Sequence, residues 1–354
     1  MLFRSDADED TVPDGCDICP EGDDFVDTDE DATPDACDAF PNDDTESLDS
    51  DGDGIGDNAD TYPNDRDNDG VNDDIDDDID VAPGTAGAIA FAISIANDGD
   101  VIQLEAGTYT EGAVIDTLGK ALTLRGVPDA DGDGLAETIL DGQCSHRLLQ
   151  CTSGENAATV FQHLVVQNGN ASDDYTGDYD DGGGLYVESS SPSLINCAFI
   201  GCFAEDWGGA AYLKNSNSSF TNCTFRKNFA YQDGGAAYLL SGSPNFENCA
   251  FEQNATSSDG GGLYLRGSGI TTVTSSTFRA NLSVRGGAIA VLSGVDISDC
   301  IFDANSTYRS GSAISVSSSS TIITSSSFTA NSITSERTDV GAIYSSDEIG
   351  RAHV

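Results

Sequence analysis

Six phenylalanines recur at an almost constant interval through the second half of this chain. Phe199, Phe225, Phe251, Phe278, Phe302 and Phe328 are separated by 26, 26, 27, 24 and 26 residues. Two residues before each stands Cys197, Cys223, Cys249, Ser276, Cys300 or Ser326, and three after stands Cys202, Asn228, Asn254, Asn281, Asn305 or Asn331. Glycine pairs keep the same period at Gly182-Gly183, Gly208-Gly209, Gly234-Gly235, Gly260-Gly261 and Gly286-Gly287. One residue type per slot at a fixed period marks a solenoid, whose units pack only on their neighbours. Units this short and this rich in Gly, Ser and Thr are not paired helices. The expected class is all-β, a solenoid of about 26-residue coils.

The slots also predict how a coil is built. Alternating stretches such as Leu263-Tyr264-Leu265 read as strands with their apolar ends inward. A second strand carries Phe220, Phe246, Val273, Ile297 or Ile323 and turns at Asn222, Asn248 or Asp299, residues that tolerate left-handed backbone angles. Strands about 4.8 Å apart would align equal slots into ladders. The inward cysteines then read as small buried groups. Tyr186, Tyr212, Tyr238 and Tyr264 lie between inward residues, so they are expected to face outward as a stripe, either stacked for stability or presented as a carbohydrate platform. Ahead of the repeats, residues 84–96 have helical spacing and are expected to cover the open edge of the first coil.

The first 80 residues are of another kind. They hold 32 acidic and 2 basic side chains, a net of −30, within a chain whose total is −48. Such a field excludes nucleic acids and anionic membrane surfaces as partners. The pattern D-x-D-x-D-G-x-x-D occurs as Asp49, Asp51, Asp53, Asp57 and as Asp65, Asp67, Asp69, Asp73. Copies without glycine occur at Asp27, Asp29, Asp31, Asp35 and at Asp6, Asp8, Asp10, Asp14, and a further copy, Asp129, Asp131, Asp133, Glu137, lies beyond the segment. Carboxylates at loop positions 1, 3, 5 and 9 suit Ca2+, a hard cation that takes six to eight oxygens. Without metal so charged a segment is expected to be extended, and with calcium compact.

These loops resemble thrombospondin type 3 repeats, and Cys16-Asp17-Ile18-Cys19-Pro20 with Asp35-Ala36-Cys37-Asp38 resembles that family's cysteine placement. The resemblance implies a Cys19–Cys37 disulfide. Asp98-Gly99-Asp100-Val101-Ile102 with Gly107-Thr108-Tyr109 resembles the entry to right-handed parallel β-helices of the pectate-lyase-like superfamily. The repeats themselves, Asn-Cys-Thr-Phe-x-x-Asn followed by Gly-Gly-Ala, resemble those of chlamydial polymorphic outer membrane proteins over residues 183–344. That likeness implies a right-handed parallel β-helix on a cell surface or secreted, often adhesive.

Chemistry-bearing residues are few. Arg226 and Arg279 fill one repeated slot, which reads as a solvated face, and Arg266 lies in another. His146 and His163 lack glycine neighbours of the kind expected around a hydrolase's catalytic histidine. The longest insertion, Ala171–Asp181, carries Asp173, Asp174, Asp178 and the pair Asp180-Asp181, a possible carboxylate pair or calcium loop. Cys144 and Cys151 are candidates for a disulfide.

The ends, Met1-Leu2-Phe3-Arg4-Ser5 and Ile349-Gly350-Arg351-Ala352-His353-Val354, can be encoded by strings that contain reverse complements of each other and resemble a sequencing adapter, so residues 1–5 and 348–354 are expected to be library scars. The resulting division is an acidic calcium-binding segment over 1–80 (1–5 being scar), a β-helix over 81–347, and a terminal scar. The expected function is an extracellular or cell-surface calcium-binding protein with a structural or adhesive role and a polysaccharide or cell-surface partner, without catalytic residues and without a membrane span in the visible chain. The alternative is a calcium-dependent polysaccharide lyase or glycosidase.

Overall fold

A computed structural model describes residues 19, 26–50, 54–60, 78–172, 180–267, 269–317, 320–334 and 341–345. The chain divides into two compact units, Met1–Ile79 and Asp80–Val354. In the first, the described backbone up to residue 60 is turns, bends and irregular stretches, with a disulfide between Cys19 and Cys37.

The second unit is a parallel β-solenoid. Its strands form four sheets of 10, 9, 9 and 7 strands among the described residues. One coil runs through Leu185–Glu188, Ser193–Ile195, Ala198–Ile200 and Phe203–Ala204, and the next re-enters the first sheet at Ala211–Lys214. Every coil pairs in parallel with its neighbours, with like slots opposed: Tyr186 on Tyr212, Phe220 on Phe246, Phe225 on Phe251 and Phe203 on Phe229.

The repeat explains this register physically. Phe199, Phe225, Phe251, Phe278 and Phe302 are fully buried. Their rings stack with Phe328 at 4.5–5.1 Å, within 8° of parallel. That spacing is the strand spacing itself, so ring stacking and backbone pairing favour the same alignment. A slip of one residue would send every ring to the outside. The corners fall where left-handed residues were expected: Asn222, Asn248 and Asp299 have φ of 55°, 53° and 56°. The inward cysteines at 197, 202, 223, 249 and 300 are free, buried thiols. Cys223 donates to the carbonyls of Thr221 and Leu194 at 3.4 and 3.5 Å.

Beside them runs an asparagine ladder. Asn254 accepts from the backbone N–H and the side-chain amide of Asn228, both at 3.0 Å, and donates to Phe225 O at 2.9 Å and Asn281 Oδ1 at 3.0 Å. The same bonds repeat at Asn228, Asn281 and Asn305. Each buried amide is therefore satisfied by its neighbour coils. The glycine slot serves close approach. A Cβ on Gly235 would run into the carbonyl oxygens of Gly261 and Ala255.

At the entry, helix α1 (Ala88–Ile95) buries Ile89, Ala92 and Ile93. It packs against the coil strands Val101–Leu104 and Ile115–Asp116, in keeping with the expected cover.

Candidate functional site

Three acidic loops share one hydrogen-bond template. In each, the carboxylate at position 9 accepts the backbone N–H of position 2: Asp35 from Thr28 at 2.7 Å, Asp57 from Ser50 at 2.8 Å, and Glu137 from Ala130 at 3.0 Å. The carboxylate at position 1 accepts from position 6: Asp27 from Ala32 at 3.1 Å, Asp49 from Gly54 at 3.1 Å, and Asp129 from Gly134 at 2.9 Å. Position 6 is left-handed in all three, with φ of 82° at Ala32, 90° at Gly54 and 87° at Gly134. Ala32 thus adopts the glycine conformation at a steric cost, which is why a copy lacking glycine still closes.

With position 1 holding the loop shut, carboxylate oxygens of Asp129, Asp131 and Glu137 lie within 4.8 Å of one another, as do those of Asp27, Asp29 and Asp31. Asp133 and Asp35 are not in these clusters; Asp133 accepts from Leu135 N–H at 2.8 Å. Asp29 Oδ2 and Asp38 Oδ2 are buried without a hydrogen-bond partner. Burial first, then the charges of Asp31 and Asp38, push the Asp29 carboxyl above its ordinary range. Clustered carboxylates with an orphaned oxygen fit a hard cation, whose charge would remove their repulsion. The predicted ligands Asp51, Asp53, Asp65, Asp67, Asp69 and Asp73, and the copy at Asp6–Asp14, lie outside the described residues.

The loop at Asp129 also leans on the solenoid. Asp129, Gly134 and Leu135 line a 270 Å³ pocket with His163, Asn196, Asn222 and Thr224. Its floor is an outward amide ladder in which Asn248 donates to Asn222 at 2.7 Å and Asn222 to Asn196 at 3.0 Å.

The tyrosine stripe departs from expectation. Tyr186, Tyr212, Tyr238 and Tyr264 do stack, at 5.1–5.5 Å and within 13° of parallel. They are nevertheless only 2–7 % exposed and form a cluster with Ala290, against which Trp207 and Leu240 pack. Trp207 lies 5.4 Å from the Tyr238 ring, and the Arg147 guanidinium sits 4.7 Å over Tyr186. A covered face offers no open platform for sugars, so the carbohydrate role expected for these four residues is corrected to a second, outer core.

At the edge of that core lies a residue whose behaviour the sequence did not disclose. Asp181 is 8 % exposed and accepts the Trp207 N–H at 3.1 Å, while Arg147 donates to its backbone carbonyl at 2.7 Å. Burial, together with the charges of Asp206 and Asp180, pushes its carboxyl up to about 7. Of the insertion, residues 173–179 lie outside the described residues.

Two further expectations resolve simply. Arg226, Glu252, Arg279 and Asp303 oppose one another in successive coils, and Arg279 pairs with Asp303 at 3.7 Å, so this slot is a charge ladder on a solvated face. Cys144 and Cys151 are both free. Cys151 points into the solenoid as the rung beneath Val187, near Thr117, whereas Cys144 is exposed in a turn, and this overturns the expected disulfide.

Residues 183–349 match the family model described as right handed beta helix region. The parallel coil-on-coil strand order over those residues agrees with that description. Among solved structures, the chain is similar to pectin methylesterase from Aspergillus niger, at 14 % identity over 77 % of this chain and 91 % of that one, with a TM-score of 0.46. It is also similar to a pectate lyase, at 13 % identity over 78 % and 81 % with a TM-score of 0.40. A third is a mannuronic acid specific polysaccharide lyase from human gut microbiota, at 11 % identity over 70 % and 67 % with a TM-score of 0.30. No curated protein matches the sequence. Among the described residues, no helix is long and apolar enough to cross a membrane.

Proposed function

We propose that this protein is an extracellular calcium-binding β-helix with a structural or adhesive role, holding glycan or cell-surface partners along its solenoid. The observation that carries the reading is the hydrogen-bond template shared by the loops at Asp27–Asp35, Asp49–Asp57 and Asp129–Glu137, together with the converging carboxylate oxygens of Asp27, Asp29 and Asp31 and of Asp129, Asp131 and Glu137. Loops of this type in extracellular modules have dissociation constants of about 10⁻⁴–10⁻³ M, a range that fits calcium outside cells. Calcium would neutralise part of the −30 charge of residues 1–80 and compact that segment. The deciding experiment measures hydrodynamic radius and calcium uptake in excess calcium and in chelator. Equal radii and no uptake would dismiss the reading.

One observation favours the enzymatic alternative, a calcium-dependent lyase or glycosidase. Asp181, with its carboxyl raised to about 7 beside Asp180 and Asp206, is poised near neutral pH as a general acid must be. New reducing ends released from acidic or neutral polysaccharides by the wild type, and lost in Asp181→Asn, would establish it.

A further inference from the structure

The ring platform that the tyrosine stripe fails to supply exists on another face. Phe203 and Phe229, paired in register in the fourth strand of successive coils, stack at 6.1 Å and 9°. Tyr231 stands nearly perpendicular to both, at 87° and 5.6 Å from Phe203 and at 82° and 5.3 Å from Phe229. Tyr231 is thus held at near-equal distances from two near-parallel rings, at right angles to each. Its ring is braced by the two phenylalanines, and the residue remains 55 % exposed.

Polar groups adjoin this surface. Asn170 pairs in register with Phe203 and lines a 210 Å³ pocket with Ser145, His146, Arg147 and Ser172. His146 Nδ1 lies 2.8 Å from Ser145 Oγ, and its Nε2 is buried with no hydrogen-bond partner. Burial lowers the imidazole's pKa, which favours the uncharged ring, a form suited to hydroxyl groups. On the platform side, Glu205 precedes Tyr231 by one coil, and Asp206 accepts from Gln232. These carboxylates, in a chain of net charge −48, repel polyanions.

We infer that Tyr231, braced by Phe203 and Phe229 and flanked by the Asn170–His146 pocket, binds a neutral polysaccharide, one sugar lying on the exposed tyrosine ring and its neighbour offering hydroxyls to the pocket. A flat aromatic face accepts the apolar C–H face of a pyranose, and the pocket supplies the few placed polar groups that fix orientation. This inference rests on the glycan-binding reading above and names its site.

The test is affinity electrophoresis of the full chain, in calcium, through gels containing neutral polysaccharides or polygalacturonate. Wild type should be retarded by a neutral polymer and not by polygalacturonate. Tyr231→Ala should lose about tenfold or more in affinity, as expected for truncating a central aromatic anchor. Tyr231→Phe should bind like wild type, because stacking does not need the hydroxyl. Tyr308→Ala, at a residue 52 % exposed on another coil, should also be unchanged. Retardation of wild type that survives in Tyr231→Ala, falls equally in Tyr308→Ala, or occurs only on polygalacturonate overturns this inference and leaves the glycan-binding reading standing. Absence of retardation of wild type on every polymer overturns both.

Discussion

Glu111 and Lys120 grip opposite ends of the same eight-residue helix. Glu111 Oε2 accepts the Ile89 N–H at 3.2 Å, and Lys120 Nζ donates to the carbonyls of Ile93, Ser94 and Ala96 at 2.6, 2.8 and 2.8 Å. Acid at the N-terminus and base at the C-terminus complement the helix dipole and satisfy groups the helix leaves open. Lys120→Met should therefore cost about 2 kcal/mol. Denaturant titration would check the size, and faster hydrogen exchange at the 89–93 amides would place the loss at the cap.

Calcium should stabilise the chain through the loop at Asp129. At a calcium concentration about 100 times the dissociation constant, linkage predicts about 2.7 kcal/mol. Asp129→Asn together with Glu137→Gln should remove that loop's share of bound calcium, read by titration calorimetry, while leaving the remaining uptake in place.

The Asp181 carboxyl gives a pH signature with a definite sign. Its folded value of about 7 lies above the ordinary 3.8, so the fold favours the protonated form. The stability it adds is full below about pH 4 and is lost as pH rises through about 7. Asp181→Asn keeps the acceptor for the Trp207 N–H and carries no charge. At pH 8 it should be more stable than wild type by on the order of 2 kcal/mol, and its stability should vary less between pH 4 and 8. Urea midpoints across that range measure both.

The asparagine ladder should be intolerant of apolar replacement. Asn254→Leu leaves the Asn228 N–H without its acceptor in a dry interior and removes the amide donor to the Phe225 carbonyl. The expected cost is roughly 3–5 kcal/mol. Asn254→Asp, which preserves the acceptor but buries a charge, should be at least as damaging near neutral pH. Thermal melts of both variants against wild type decide it.

Most of the solenoid was legible in its slots, because a residue that must repeat to fill a ladder announces its own position. The phenylalanines, inward cysteines and left-handed corner asparagines all fall in this class. The tyrosine stripe was legible in its spacing but not in its burial. Strand alternation places Tyr212 outside the coil, and nothing periodic says that Trp207 lies over it, since Asp181, Asp233 and Asp259 fill that slot in other coils. The same reason hides Tyr231, which shares its slot with Glu205 and Ser257. Ladders are written as repetition, whereas sites are written as exceptions to it. Asp181 reads in the sequence as half of a carboxylate pair, but its raised pKa depends on burial that no local pattern encodes.

The coil-on-coil pairing also sets how this molecule would carry tension. Its interstrand hydrogen bonds run along the solenoid axis, so a pull on the two ends loads all four sheets of one junction in parallel. Failure would then require a whole coil boundary to part together, Phe251 leaving Phe278 as Asn254 leaves Asn281. A pull across the axis meets no such shared resistance, because it can peel a single coil strand by strand. A protein holding a partner on its flank would thus be strong in the direction of its length and yielding at right angles to it.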